Sequence, residues 1–117
     1  DCAVVRGPRR GELLILKTDA VVEGAHFTAD TPPRLVGRKA LARVLSDAAA
    51  MGGRPEHALV TLAAPPATPV AWVEAFYEGL IALAKRHGVS VAGGETTRSP
   101  QRWVSVALTG VVPARRW

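Results

Sequence analysis

The sequence predicts an α+β fold, with a mainly antiparallel four-stranded sheet and helices on one of its faces. Two segments carry apolar residues at helical spacing, and the segment 103–111 alternates apolar and polar residues as a half-buried strand does. Extended and helical segments follow one another in the order β-β-α-β-α-β-β. The length of 117 residues suits one domain with a core of its own.

The first half of the chain predicts two extended pieces and one helix. The apolar run at 13–18 indicates a strand, and a shorter extended piece follows at 21–23. Pro32 and Pro33 predict a turn, because proline keeps the residue before it extended. The helix predicted at 38–51 then ends at Gly52. Its apolar positions are Leu41, Val44, Leu45 and Ala48.

The second half predicts a strand at 58–63, a helix, a short strand at 89–93 and the long strand at 103–111. Thr68 is the predicted cap of the helix, with Pro69 in the first turn and Gly88 at the end. The apolar stripe predicted to be buried comprises Val73, Phe76, Tyr77, Leu80, Ile81 and Ala84.

Composition narrows the functional classes. The net charge of +5 comes from fifteen scattered basic residues without a cluster, which favours a small anionic ligand such as a nucleotide over nucleic acid. No apolar run approaches the roughly 20 residues of a membrane-spanning helix. The single cysteine, Cys2, excludes an internal disulfide and fits a reducing compartment, so we expect a cytoplasmic protein. From the scattered basic residues and the missing apolar run we expect no nucleic-acid partner and no membrane partner.

Three carboxylates stand where predicted elements end. Asp19 follows the first strand, Asp47 lies near the helix C-terminus, where the helix dipole disfavours negative charge, and Glu95 follows Gly93 and Gly94. Such carboxylates would need a cation if they shared one pocket, and Mg²⁺ binds through carboxylates and phosphates. The alternative is that all three are ordinary turn, helix and loop residues. His26 is the histidine best placed to face a ligand.

Four motifs together resemble one family. In order they are DCAVV, LKTDAVVEGAHF, GRKALARVLSDAAAMGG and VAGGETTRSP. They resemble the N-terminal domain of the thiamine-monophosphate kinases, which belong to the superfamily of aminoimidazole ribonucleotide synthetase. The resemblance implies ATP-dependent phosphorylation of thiamine monophosphate to thiamine diphosphate, with ATP as co-substrate and Mg²⁺ as cofactor.

The resemblance also implies roles for single residues. It makes Asp19 and Asp47 the catalytic carboxylates, His26 a substrate-binding residue, and Gly94 and Glu95 the residues that contact ATP. The implied metal ligands are Asp1, Thr18, Asp19, Asp47 and Glu95.

Three residues depart from the family pattern. Lys17 stands where the family has Ser or Thr, and an ammonium group cannot bind a metal but can contact a phosphate. Val44 replaces an asparagine that is frequent in the family. Glu95 replaces Asp and moves the carboxylate outward by one methylene. Every acidic position nevertheless remains acidic.

The resemblance covers one domain of a larger enzyme. It implies a homodimer whose N-terminal sheets pair into a barrel, and a C-terminal domain that completes the nucleotide site. We therefore expect the chain to be a fragment, without the extreme N-terminus and the C-terminal domain, and inactive alone. Two alternatives stay open: another ATP-dependent superfamily member, such as an aminoimidazole ribonucleotide or selenophosphate synthetase, and a non-catalytic nucleotide-binding module.

Overall fold

The computed structural model of the chain describes residues 2–116 and confirms the α+β class. It contains two helices and one sheet. In chain order the elements are β1 (Ala3–Arg6), β2 (Glu12–Val22), α1 (Pro33–Ala50), β3 (Arg54–Ala64), α2 (Val70–Arg86), β4 (Ser90–Arg98), β5 (Trp103–Pro113) and a short 3-10 helix (Ala114–Arg116).

The sheet has five strands and is mixed, which corrects the predicted four-stranded, mainly antiparallel sheet. Its strand order is β1-β2-β5-β3-β4, and β3 pairs with β4 in parallel while the other neighbours are antiparallel. The parallel pair arises because α2 forms a crossover connection between β3 and β4, which returns the chain to the end from which β3 started.

The N-terminal strands also differ from the prediction. The short strand β1 was not predicted, and the two pieces expected at 13–18 and 21–23 are one strand, β2. Pairing with β5 explains this continuity, since it runs without a break from Glu12 opposite Pro113 to Val22 opposite Trp103. As a consequence Asp19 lies within β2 and not in a loop beyond it.

Both helices pack on one face of the sheet. Buried strand residues such as Ile15, Val60 and Val106 form one core cluster with the apolar faces of α1 and α2. The helices approach each other backbone to backbone at two glycines: a Cβ added at Gly37 or at Gly79 would lie 1.9 Å from a carbonyl oxygen of the other helix. Because α1 and α2 are packed so closely, the two helices have little freedom to move relative to each other.

The helix boundaries refine the sequence reading. Helix α1 begins at Pro33, five residues before the predicted start, because a proline in the first turn needs no N–H partner. Helix α2 is capped by Pro69 without a side-chain hydrogen bond, so Thr68 is not the cap. Ile81, predicted to be buried, is 38% exposed. No helix within residues 2–116 is long and apolar enough to cross a membrane.

Candidate functional site

The two catalytic candidates Asp19 and Asp47 line one cleft between β2 and α1, which we call the β2–α1 cleft. Its volume is about 370 Å³. Asp19 faces the helices because it lies opposite the buried Val106 of β5. Asp47 faces the strand from the last turns of α1. The residues that line the cleft are Asp19, Lys39, Ala42, Arg43, Ser46 and Asp47.

Each of these carboxylates forms an ion pair with a cation of the opposite element. Lys17 Nζ lies 2.9 Å from Asp47 Oδ2, and Arg43 Nη2 lies 3.1 Å from Asp19 Oδ1. The hydrogen bond with Asp47 raises the pKa of Lys17, and the same bond lowers the pKa of Asp47. Both pairs are partly exposed, with side-chain exposures between 16% and 36%. Solvent therefore reaches the charged groups.

The donor set fits a magnesium ion that is shared with a phosphate. Carboxylate oxygens are the donors Mg²⁺ prefers, and one or two protein carboxylates suffice where phosphates complete its octahedron. Asp19 and Asp47 supply that number at the β2–α1 cleft. No group of three or more His, Cys, Asp or Glu side chains within residues 2–116 is close enough to hold a metal by itself. Asp1, the other metal candidate at this end of the chain, lies outside the described residues.

Thr18 faces away from this cleft. It lies opposite Ala107 on the side of the sheet that the helices do not cover, and it is exposed. Its neighbours Lys17 and Asp19 point to the helices, since successive side chains of a strand alternate between the two faces. The Thr18 hydroxyl is therefore not among the groups that line the β2–α1 cleft.

Gly94 and Glu95 belong to a second cleft at the other edge of the sheet, which we call the β4 cleft. Gly94 shares a transverse row with Asp19 through Val106 and Val60, so three strand spacings, about 14 Å, separate the two backbones. The structure thus does not bring Glu95 into one pocket with Asp19 and Asp47. The β4 cleft also measures about 370 Å³ and is lined by Val60, Tyr77, Ile81, Val91, Ala92, Gly93, Gly94, Glu95 and Thr96.

Backbone geometry explains the glycine pair in β4. Gly94 has a φ of +145°, and an added Cβ would lie 1.8 Å from the carbonyl oxygen of Val60. Only glycine fits a backbone that is so close to its neighbour. An added Cβ at Gly93 would meet only Leu59, at 3.5 Å. Gly94 is therefore required by the close pairing of β4 with β3, whereas the position of Gly93 has room for a side chain.

His26 is held in one ring orientation by the turn after β2. The backbone N–H of Val22 donates to His26 Nδ1 at 2.9 Å, so in the neutral ring the proton is on Nε2. Lys39, which lines the β2–α1 cleft, donates to the carbonyl oxygen of His26. Through Lys39 the His26 turn is attached to the wall of this cleft.

Sequence reasoning missed Lys39 and Arg43 as lining residues of the cleft. Their signal was present: Lys39, Arg43 and Asp47 follow one another at intervals of four residues and so share one helix face. From this helix, only the apolar positions and Asp47 had entered the prediction.

Comparison with known proteins supports the resemblance. Residues 1–112 match the family model described as AIR synthase related protein, N-terminal domain. The chain is 37% identical over 117 residues to thiamine-monophosphate kinase of Synechococcus elongatus and 40% identical over 116 residues to that of Salmonella typhimurium. Each alignment covers 99% of this chain but only 36% and 35% of the relatives, so the chain spans about a third of their length.

Solved structures agree with the sequence comparison. The crystal structure of thiamine monophosphate kinase from Aquifex aeolicus superposes with a TM-score of 0.89 at 34% identity, covering 96% of this chain and 37% of that chain. A structure of AaThiL complexed with AMPPCP and TMP gives a TM-score of 0.91 at 35% identity, with coverages of 96% and 36%. The hydrogenase maturation protein HypE of E. coli, at 18% identity and a TM-score of 0.72, shares the fold alone.

Proposed function

The chain belongs to the AIR synthase related protein family, as its N-terminal domain, and we propose that it is the ATP- and metal-binding part of a kinase that phosphorylates thiamine monophosphate to thiamine diphosphate. One observation carries the proposal. The chain is 37–40% identical to thiamine-monophosphate kinases over 99% of its length, and in its structure Asp19 and Asp47 line the same cleft. ATP is the co-substrate we infer, because a relative of similar fold is complexed with AMPPCP and TMP.

The proposed reaction joins two anions. The γ-phosphoryl group of ATP passes to a phosphate oxygen of thiamine monophosphate, the bond to the ADP oxygen breaks, and a new P–O–P bond forms. Mg²⁺ bound at the cleft would supply positive charge to the phosphate oxygens in the transition state. We assign its protein ligands to Asp19 and Asp47 first, with Asp1 as a further candidate. The Thr18 hydroxyl, which the family resemblance implied as a ligand, lies on the other face of the sheet and is not assigned to this ion.

The remaining assignments concern substrate binding. His26 carries its proton on Nε2, so this nitrogen can donate a hydrogen bond to a phosphate or to another acceptor of the substrate. We assign Gly94 and Glu95 to ATP, because both residues line the β4 cleft and match the family motif that contacts ATP. Asp19 and Gly94 are separated by about 14 Å across the strands. A single nucleotide that contacts both clefts would therefore have to extend across the sheet from β4 towards β2.

We further propose that the protein works as a cytoplasmic homodimer with the two sheets paired into a barrel. The sheet face opposite the helices exposes large apolar side chains, with Leu16 at 40% and Leu59 at 50% exposure. Burial of such side chains against a second copy would stabilise the dimer by about 25 cal/mol per Å² of apolar surface. The variant Leu59→Asp should shift the molar mass measured by light scattering towards the monomer; an unchanged mass would remove this face as the interface.

An acceptor panel tests the function. The protein at its natural length is incubated with ATP and Mg²⁺ and with thiamine monophosphate, thiamine or a ribonucleotide precursor of aminoimidazole ribonucleotide. We expect thiamine diphosphate and ADP in equal amounts with thiamine monophosphate alone. ATP consumption only with a ribonucleotide acceptor would move the protein to another branch of the family, and binding without turnover would favour a non-catalytic module.

A further inference from the structure

The ion pairs of the β2–α1 cleft form a charge quartet, which consists of Lys17, Asp19, Arg43 and Asp47. Lys17 and Asp19 lie two residues apart on the helix-facing side of β2, and Arg43 and Asp47 lie four residues apart on α1. Each carboxylate contacts the cation of the other element, at 2.9 Å and 3.1 Å. Within the quartet, two positive charges are therefore paired with two negative charges.

Lys17 occupies space that a cation at Asp47 would need. Its ammonium group is 2.9 Å from Asp47 Oδ2, and its side chain is only 16% exposed. Two cations on the same carboxylate oxygen would repel each other at a distance of a few ångströms, where unit charges interact strongly even beside solvent. An ammonium group has three donors and no lone pair, so it cannot join a metal shell as a ligand.

We propose that Lys17 is a tethered cation that competes with a divalent ion for Asp47, so that the ion binds only by displacing the ammonium group. The displaced ammonium remains at the cleft on its flexible stem and is then able to contact a phosphate oxygen. Lys17 is thus a positioning residue that sets the affinity of the cleft for the metal. The inference rests on the proposed function only in taking this cleft as a cation site.

A purely structural ion pair is the competing explanation. Lys17 and Asp47 connect β2 to α1, and a partly exposed pair of this kind contributes little to stability because solvent screens its charges. That explanation predicts a loss of stability on removal of Lys17 and no gain in metal affinity. Competition predicts the loss of stability together with tighter metal binding.

The test is Mn²⁺ binding, measured by electron paramagnetic resonance with saturating thiamine monophosphate, which supplies a phosphate, and without nucleotide. The variant Lys17→Met of the natural-length protein removes the ammonium without adding an oxygen ligand. We expect it to bind Mn²⁺ about tenfold more tightly than the unaltered protein. Asp47→Asn in the same background should abolish the gain. An affinity changed by less than about twofold, or no measurable binding in Lys17→Met, would overturn the proposal.

Lys39→Met is the matched control. Lys39 lines the same cleft, but its ammonium donates to the carbonyl oxygen of His26 and is in no ion pair with Asp19 or Asp47 among the described contacts. The control removes the same unit charge and should raise the Mn²⁺ affinity by less than about threefold, through long-range electrostatics alone. An equal gain in both variants would show a general charge effect and would refute displacement at Asp47.

A second measurement uses the unaltered protein and does not depend on how a variant folds. With lysines labelled at ¹³Cε, the Lys17 signal, assigned through Lys17→Met, should shift as Mg²⁺ saturates the site, because the ammonium leaves its carboxylate. A Lys17 signal that stays in place while Mg²⁺ binds would overturn the proposal.

Failure of the competition proposal is distinguishable from failure of the proposed kinase function. Thiamine diphosphate formation with unchanged Mn²⁺ affinity refutes the competition alone, and tighter Mn²⁺ binding without product refutes the kinase function alone.

Discussion

The substitution Gly94→Ala tests whether the backbone of the β4 cleft is as constrained as the structure shows. Gly94 combines a φ of +145° with a close contact, since an added Cβ would lie 1.8 Å from the carbonyl oxygen of Val60 and 2.7 Å from its backbone nitrogen. Real Cβ atoms do not approach backbone atoms so closely. Strand β4 would therefore have to separate from β3 at the point where the candidate ATP residues lie.

The expected magnitude follows from the two effects. A non-glycine residue in this backbone region costs on the order of 1–3 kcal/mol. The steric conflict with Val60 adds about 1–3 kcal/mol, as overpacking does in well-packed interiors. We expect Gly94→Ala to lower the free energy of unfolding by about 3 kcal/mol, a large share of the stability of an ordinary domain.

Urea denaturation followed by circular dichroism measures the loss, and Gly93→Ala is the control. Gly93 is the adjacent residue of the same strand, and an added Cβ would meet only the side chain of Leu59 at an ordinary 3.5 Å. We expect Gly93→Ala to change the free energy of unfolding by less than about 1 kcal/mol. Equal effects of the two substitutions would refute the argument from the Val60 contact.

Two further predictions concern the helices and the charge quartet. Gly79→Ala should lower the free energy of unfolding by about 2–3 kcal/mol, because its Cβ would lie 1.9 Å from the carbonyl oxygen of Arg34; a urea midpoint like that of the unaltered protein would contradict the close helix contact. The unaltered protein should have a higher free energy of unfolding than the variant Lys17→Met, and this stability advantage should be constant between about pH 5 and 9. It should fade as the pH falls below the ordinary Asp pKa of 3.8 through the lowered pKa of Asp47, and as the pH rises above the ordinary Lys pKa of 10.5 through the raised pKa of Lys17. An advantage that does not decrease below the ordinary Asp pKa of 3.8 would show that the ion pair is not its source.

The fold class was predictable because both helices have a clear apolar periodicity, whereas the strand pairing was not. Strand β1 has only four residues and lies at the edge of the sheet, so it carries little pattern of its own. The charged Asp19 fell between the two predicted pieces of β2, although its side chain projects into a solvent-accessible cleft and the strand continues through it. The parallel β3–β4 pair could have been inferred from the single helix between these strands.

The candidate site was predictable only in part for the same reason. Asp19 and Asp47 share a cleft because β2 and α1 are neighbours. Glu95 belongs to the far edge of the sheet, and a sequence does not reveal that two strands lie between it and β2. The ion pairs of Lys17 and Arg43 required coordinates, since they depend on how two elements face each other.

The proposed phosphoryl transfer to thiamine monophosphate depends on the carboxylate of Asp47. The most direct measurement is the rate of thiamine diphosphate formation by the natural-length protein, compared between Asp47→Asn and Asp30→Asn. Asp30 is an exposed residue of the turn before α1 and serves as the matched control. We expect Asp47→Asn to lower kcat/KM by at least about a hundredfold and Asp30→Asn to leave it unchanged. Thiamine diphosphate formation at an undiminished rate in Asp47→Asn would contradict the account.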